Sequence, residues 1–141
     1  TVSTQSLDAN LRLVAWSRPV EGTVCLNVDG SLLGSANTAG YSCLLRNNNG
    51  EFIWGFYGVA DVEGILLAGI MAILLGLQLC WDSSYHKVIC FSDSLQSVNF
   101  IRDGASIHHR FANEIHSIRS LLANEWDVVI SHMLREGNAC A

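Results

Sequence analysis

One uninterrupted apolar stretch constrains the fold of this 141-residue chain more than any other feature of its sequence. Residues 64–81, GILLAGIMAILLGLQLCW, contain a single polar side chain, Gln78. By length and hydropathy such a stretch is a candidate membrane-spanning helix, and Ala68, Ala72 and Gly76 form a row of small residues that could pack helices together in a membrane. The alternative is a helix buried on a sheet, which also needs small residues where two backbones approach closely.

The flanks of the apolar stretch favour the buried helix. Glu63 precedes the stretch and Asp82 follows it, and these acidic flanks carry no Lys or Arg to set an orientation in a membrane. The segments on both sides also have the composition of strands from one sheet. We therefore expect a buried helix of a soluble protein that makes no contact with a membrane.

The sequence before this helix has the patterns of three β-strands, at residues 23–28, 39–46 and 51–59. Side chains alternate along a strand, so Phe52, Trp54 and Phe56 are expected to share one face of the third strand. The segment NNNG at 47–50 predicts a tight turn between the second and third strands, because Asn and Gly tolerate positive φ. These three strands predict an antiparallel meander.

Strands and helices alternate after the apolar helix. Residues 87–92, KVICFS, form a short apolar run of the kind that a parallel sheet buries on both faces. Helices are predicted from a cap at Asp93 or Ser94 through Arg102 and over residues 109–123, and a last strand over 126–131. The order β-β-β-α-β-α-α-β predicts an α/β fold, in which helices cover a mixed five-stranded sheet.

Length and composition fit one folded domain. Half of the residues are hydrophobic and 15% are charged, which supplies enough apolar material for a core and argues against disorder. Residues 1–20 are mixed and irregular, and we expect them to form an N-terminal arm or linker before a domain at 21–141. The N-terminus has no signal-peptide pattern.

Charge and cysteine content narrow the function classes. Eight Lys and Arg against thirteen Asp and Glu give a net charge of −5 without a basic run, so any nucleic-acid contact must be short or assisted by metal ions. The five cysteines are odd in number and show no C-x-x-C spacing, which predicts free and largely buried thiols. We expect an intracellular protein; neither the choice between nucleus and cytoplasm nor the oligomeric state follows from the sequence.

Two aspartates are candidate metal ligands. Asp29 follows the first strand at a glycine turn, and Asp93 follows the fourth strand. If these strands are parallel neighbours, their carboxyl ends adjoin, where open α/β sheets place their sites. Two such carboxylates repel each other unless a cation intervenes, and oxygen ligands suit Mg²⁺ or Mn²⁺. Alone, Asp29 is explained as a turn residue and Asp93 as a helix cap; together, in this strand order, they favour a metal site.

Four segments carry a recognisable combination of motifs: LNVDGS at 26–31, LLAGIMAILLGLQLCWD at 66–82, FSDS at 91–94 and SHMLREGNACA at 131–141. Taken together they resemble a known family, the plant-type ribonuclease H domain of retroelement-derived proteins. The resemblance covers about residues 15–141 in the family's order. It implies the ribonuclease H-like fold and an endonuclease that hydrolyses the RNA strand of RNA–DNA hybrids, using two Mg²⁺ or Mn²⁺ ions held by four acids.

The resemblance also assigns residues to roles. It makes Asp29 and Asp93 metal ligands and catalytic residues, and it makes His132 a catalytic histidine that assists proton transfer or product release. An ordinary loop histidine is the alternative for His132. The residues that the resemblance places at the hybrid are Gly30, Ser31, Ser94 and Arg135, of which Arg135 is equally well explained as a solvated loop charge.

The chain departs from the family's four acids at two places. Gly69 stands in the sequence Leu-Leu-Ala-Gly where the family has Leu-Leu-Ala-Glu, and the family's last aspartate directly follows the segment that here ends at Ala141. Neither Asp61 nor Glu63 lies where it could replace the glutamate. We expect an incomplete site with weakened ion binding and impaired cleavage, in a domain without the family's C-terminal helix. The alternatives are a non-catalytic nucleic-acid-binding or interaction module and a degenerate retroelement remnant.

Overall fold

The elements of the chain follow the predicted order of strands and helices. The computed structural model describes residues 20–32, 39–60, 65–104 and 110–133. Residues 1–19 of the predicted arm and Arg135 lie outside these described residues. The elements are β1 (Val24–Leu32), β2 (Ala39–Arg46), β3 (Phe52–Ala60), α1 (Ile65–Asp82), β4 (Lys87–Ser92), α2 (Leu95–Asp103), α3 (Ala112–Leu122) and β5 (Asp127–His132).

The five strands form one mixed sheet in the order β3-β2-β1-β4-β5. Antiparallel pairing joins β1 to β2 and β2 to β3, and parallel pairing joins β1 to β4 and β4 to β5. The three mutually parallel strands are thus neighbours, and their carboxyl ends lie at one edge of the sheet. This arrangement confirms the predicted meander followed by α/β units.

Helix α1 packs its apolar residues on the sheet. Its buried residues include Ala68, Ala72 and Leu77, which have no exposed surface. A Cβ at Gly76 would lie 2.8 Å from Leu26 Cδ2 and 3.2 Å from Cys43 Sγ, so the small residues mark where the helix approaches β1 and β2. No helix within the described part of the chain is long and apolar enough to cross a membrane.

Strand β1 extends further than the sequence pattern predicts. Its antiparallel pairing with β2 continues through Asp29 and Gly30 to the pair Leu32–Ala39, so the prediction that the strand ends at Asp29 is wrong. The partner strand supplies the backbone hydrogen bonds that a glycine turn would have released. The parallel pairing with β4, by contrast, stops at Val28, and Asp29 is the first residue beyond it.

The predicted common face of β3 is also only partly correct. Trp54 and Phe56 are half-buried, and their rings stack with centroids 5.8 Å apart. Phe52, however, is 63% exposed. The β2–β3 register shifts between Leu45 and Arg46, which pairs Arg46 with Phe52 and leaves Ile53 as an extra residue. Such an irregularity breaks the alternation of side chains and takes Phe52 out of the apolar face.

Helices α2 and α3 both pack against α1. Gly104, at φ +81°, follows the last residue of α2 and ends the helix. Helix α3 begins later than predicted, at Ala112, and its buried residues are Ile115, Ile118 and Leu121; Phe111, at its N-cap, is also buried. Arg119 on α3 donates from Nη1 to the carbonyl oxygens of Ile101 and Arg102, the latter at 3.0 Å, which satisfies the open carbonyl end of α2.

The described cysteines are free, as predicted. Cys43, Cys80 and Cys90 are buried, whereas Cys25 is only partly buried. Burial raises the pKa of Cys43 and Cys80 to about 12 and that of Cys90 well above its usual range, because the core solvates a thiolate poorly. These thiols are therefore core side chains that stay protonated at neutral pH.

Candidate functional site

Asp29 and Asp93 occupy equivalent positions on neighbouring parallel strands. Val28 pairs with Ser92 in the β1–β4 register, and each aspartate is the next residue of its chain segment. Because paired strands run about 4.8 Å apart, the two aspartates start from adjoining points of the backbone. Both are partly exposed. The two predicted metal ligands thus lie side by side at the carboxyl edge of the parallel strands.

His132 belongs to the same edge. It is the last residue of β5, one residue beyond the predicted end of that strand, and it pairs with Ser92 in the β4–β5 register. Its Nε2 lies 3.2 Å from the backbone carbonyl oxygen of Asp93. A carbonyl oxygen only accepts, so Nε2 is the donor in this contact. The imidazole is held beside Asp93 through the backbone of that residue.

Ser94 acts as the N-cap of α2. Its Oγ accepts a hydrogen bond from the backbone N–H of Ser97 at 3.2 Å, and its own backbone N–H donates to Ser92 Oγ at 3.1 Å. The predicted choice between Asp93 and Ser94 as the cap is thereby decided in favour of Ser94. Asp93 is therefore the residue that directly precedes the N-cap.

The remaining predicted substrate residues have local structural positions. A Cβ at Gly30 would lie 2.7 Å from the backbone nitrogen of Gly69 and 3.2 Å from Ala68 Cβ, so glycine allows β1 to approach α1 closely. Ser31 pairs with Gly40 in the β1–β2 ladder. The predicted contacts of Gly30, Ser31 and Ser94 with a substrate remain predictions.

Gly69 lies at this same edge, between the segments that carry the two aspartates. Its backbone nitrogen meets Gly30, the residue after Asp29. A Cβ at Gly69 would lie 3.1 Å from Ser97 Oγ and 3.7 Å from the Cβ of Ser94, the residue after Asp93. Position 69 is buried and points at the start of α2. The glycine that breaks the family's sequence pattern is therefore a neighbour of both aspartate-bearing segments.

The described residues bring two acidic side chains to this edge of the sheet, those of Asp29 and Asp93. Residues 20–32, 39–60, 65–104 and 110–133 contain no group of three or more His, Cys, Asp or Glu that could hold a metal. Mg²⁺ needs near-octahedral oxygen coordination, and two positioned ions need more protein ligands than two carboxylates supply. A centre of two ions would therefore need ligands beyond these two described residues.

One residue at this edge escaped the sequence analysis. Ser97 is fully buried, and its Oγ lies 2.8 Å from Ser94 Oγ, in addition to its proximity to Gly69. The spacing Ser94-x-x-Ser97 at a predicted helix start is a signal for a capping interaction. The proximity to Gly69 has no local signal, because it depends on how closely α1 approaches α2.

Sequence comparisons agree with this arrangement. A sequence profile of the family described as reverse transcriptase-like matches residues 27–141. A curated protein of Arabidopsis thaliana, named as a ribonuclease H protein, is 28% identical over 130 residues, which cover 92% of this chain and 21% of that protein. The chain thus spans about a fifth of the length of this curated relative.

Solved structures share the fold at low sequence identity. The RNase H1 of the archaeon Halobacterium salinarum has a TM-score of 0.74 at 18% identity, covering 84% of this chain and 91% of that one. The N-terminal RNase H domain of a Mycobacterium tuberculosis protein has a TM-score of 0.74 at 15% identity, with coverages of 84% and 87%. LC11-RNase H1 in complex with an RNA/DNA hybrid has a TM-score of 0.68 at 18% identity, with coverages of 84% and 90%. From its sequence match and its fold, the chain belongs to the reverse transcriptase-like family and is a plant-type ribonuclease H-like domain.

Proposed function

We propose that this domain derives from an endonuclease for the RNA strand of RNA–DNA hybrids, and that its own site is incomplete and cleaves hybrids little or not at all. One observation carries the proposal. Gly69 replaces the family's glutamate, and it lies against Gly30 and Ser94, which directly follow the two aspartates. The glutamate that the family carries at this position is therefore absent from the candidate site.

The remaining residues support ion binding without supporting hydrolysis. Asp29 and Asp93 would hold one Mg²⁺ or Mn²⁺, because a shared cation relieves the repulsion between neighbouring carboxylates. His132 would stand beside that ion through its bond to the backbone of Asp93. Positioning errors of about 1 Å can lower a rate roughly a hundredfold. We therefore assign no hydrolytic step to the described residues.

The proposed ligand is an RNA–DNA hybrid bound weakly. The net charge of −5 repels the phosphates of a hybrid, and the sequence has no basic run to offset that repulsion. LC11-RNase H1, whose fold this chain shares, is described in complex with such a hybrid. A non-catalytic nucleic-acid-binding module is the second candidate, favoured because the described residues form a ribonuclease H-like sheet but bring together no group of three metal-binding side chains.

The test distinguishes the effect of Gly69 on hybrid cleavage from the effect of the family's last acid. Four chains are compared: the chain as printed and a version extended by an aspartate after Ala141, each with and without the pair Gly69→Glu and Ser97→Ala, because a side chain at residue 69 needs room beside Ser97 Oγ. The substrate is a hybrid with a 5′-labelled RNA strand in Mg²⁺ or Mn²⁺. We expect no cleavage by either chain that keeps Gly69, and cleavage by the extended chain with both substitutions that is lost with Asp29→Asn. Robust cleavage by either chain with Gly69 would contradict the proposal.

A binding measurement separates the two candidate functions. If the extended chain with both substitutions folds, as circular dichroism would verify, and still fails to cleave, a nuclease origin of the site is not supported. Binding of labelled hybrid to the unmodified chain that falls steeply with added salt would then favour the binding module. The absence of hybrid binding at low salt would exclude both candidates.

A further inference from the structure

Helices α1 and α2 approach each other closely at Gly69 and Ser97. A Cβ at residue 69 would lie 3.1 Å from Ser97 Oγ, a separation tighter than side chains ordinarily adopt. The same Cβ would lie 3.7 Å from Ser94 Cβ and 3.9 Å from Ser94 Oγ. Ser97 and the N-cap residue Ser94 therefore lie where a side chain at residue 69 would project from α1.

Ser97 has little freedom to move away from this contact. Its side chain has no exposed surface, and its Oγ is held by a 2.8 Å hydrogen bond with Ser94 Oγ. Ser94 Oγ in turn accepts from the backbone N–H of Ser97, which fixes the first turn of α2. A displaced Ser97 hydroxyl would therefore disturb the N-cap that lies next to Asp93.

We infer that Ser97 is a positioning residue that keeps residue 69 free of a side chain and couples that position, through Ser94, to Asp93. A carboxylate introduced at residue 69 would press on Ser97 Oγ and strain the cap beside a proposed metal ligand. The link to ion binding rests on the proposed function, whereas the steric link between residues 69 and 97 does not. Restoring the family's acid therefore requires a change at Ser97 as well as at Gly69.

The steric link is tested without metal, by a double-mutant cycle in EDTA. Alanine is a better helix former than glycine, so Gly69→Ala would raise the midpoint of thermal unfolding if space allowed. We expect Gly69→Ala to lower the midpoint by about 3 °C with Ser97 present and to raise it in the Ser97→Ala background. Ser120→Ala, an equal change on the exposed face of α3, is the control and should leave the effect of Gly69→Ala unchanged. Additive effects of Gly69→Ala and Ser97→Ala would overturn the inference.

The link to ion binding is tested by titration with Mn²⁺. We expect Gly69→Glu combined with Ser97→Ala to bind Mn²⁺ at least about tenfold more tightly than Gly69→Glu alone, since only the double variant has room for the carboxylate. Gly69→Gln with Ser97→Ala is the isosteric control, and its affinity should equal that of the unmodified chain. Equal affinities of the two Gly69→Glu variants would overturn this link.

The two measurements keep the inference separate from the proposed function. A coupled cycle together with tight Mn²⁺ binding but no hybrid cleavage would count against the nuclease origin and leave the role of Ser97 intact. If Gly69→Glu alone fails to fold while its combination with Ser97→Ala folds, the inference is supported directly. If both fail to fold, the alanine cycle decides.

Discussion

The two ends of the parallel strands differ in the size of their side chains: glycines lie at the carboxyl ends and aromatic rings lie at the amino ends. At the carboxyl ends, β1 meets α1 through Gly30 and Gly69, so closely that a Cβ on Gly30 would lie 2.7 Å from a backbone nitrogen. At the amino ends, just before β4 and β5 begin, the rings of Trp81 and His86 stack with centroids 4.4 Å apart, and Trp126 meets Trp81 edge-on at 5.1 Å. Rings fill one end, and backbone contact fills the other.

This difference predicts opposite sensitivities to mutation. At the amino ends, removing a ring leaves a gap that the neighbouring rings cannot close. At the carboxyl ends, adding even a methyl group forces backbones apart. The candidate site lies at the carboxyl ends, where a side chain added at Gly30 meets backbone atoms and one added at Gly69 meets Ser97 Oγ.

The largest effect is expected from Trp81→Ala. The substitution removes the ring that contacts both His86 and Trp126, and we expect the free energy of unfolding to fall by about 3 kcal/mol in urea. His86→Ala is the control, because His86 is exposed, and it should lower the free energy by less than about 1 kcal/mol. Equal effects of the two substitutions would show that the rings do not form a stabilising cluster.

A smaller effect is expected from Gly30→Ala at the other end. The new methyl group would meet backbone atoms, which cannot rotate away, and we expect a loss of about 2 kcal/mol in the same urea experiment. Ser42→Ala is the matched control, since Ser42 is exposed on β2 opposite Asp29, and it should change stability by less than about 0.5 kcal/mol. A stable Gly30→Ala variant would mean that β1 and α1 are not in close contact.

The smallest effect on stability at neutral pH is expected from the buried cysteines in the core between the two ends. Burial raises the pKa of Cys43 and Cys80 to about 12, from the value of 9.0 in an unfolded chain. Because the folded-state pKa is the higher one, the folded state holds its protons longer, and stability is complete below pH 9 and declines between pH 9 and 12. Cys80→Ala should reduce the slope of stability against pH in this range. A slope unchanged by that substitution would contradict the buried thiol.

The sequence predicted the bounds of an element correctly where those bounds depend on the element's own residues rather than on a neighbouring strand. The bounds of β4, 87–92, match the structure because a short apolar run ends abruptly at Asp93. The end of β1 was missed because its continuation depends on hydrogen bonds from β2. Phe52 was placed on the wrong face because the register shift lies in the pairing of β2 with β3, which no pattern within β3 reveals.

The residues of the candidate site also fall into those that the sequence predicted and those that it did not. Strand order alone was enough to predict that Asp29 and Asp93 lie side by side, because parallel neighbours end at one edge. The resemblance to the family drew attention to Gly69. Ser97 was missed because its contact with Gly69 depends on the distance between two helices, and a single sequence carries no signal for that distance.

The central claim is that Gly69 leaves the site short of an acid, and counting bound ions tests it most directly. The measurement is a Mn²⁺ titration, followed by electron paramagnetic resonance, of the chain extended by an aspartate after Ala141, so that residue 69 is the remaining difference from the family pattern. We expect at most one weakly bound Mn²⁺, which Asp29→Asn removes. Two tightly bound ions in this chain, with Gly69 in place, would contradict the claim.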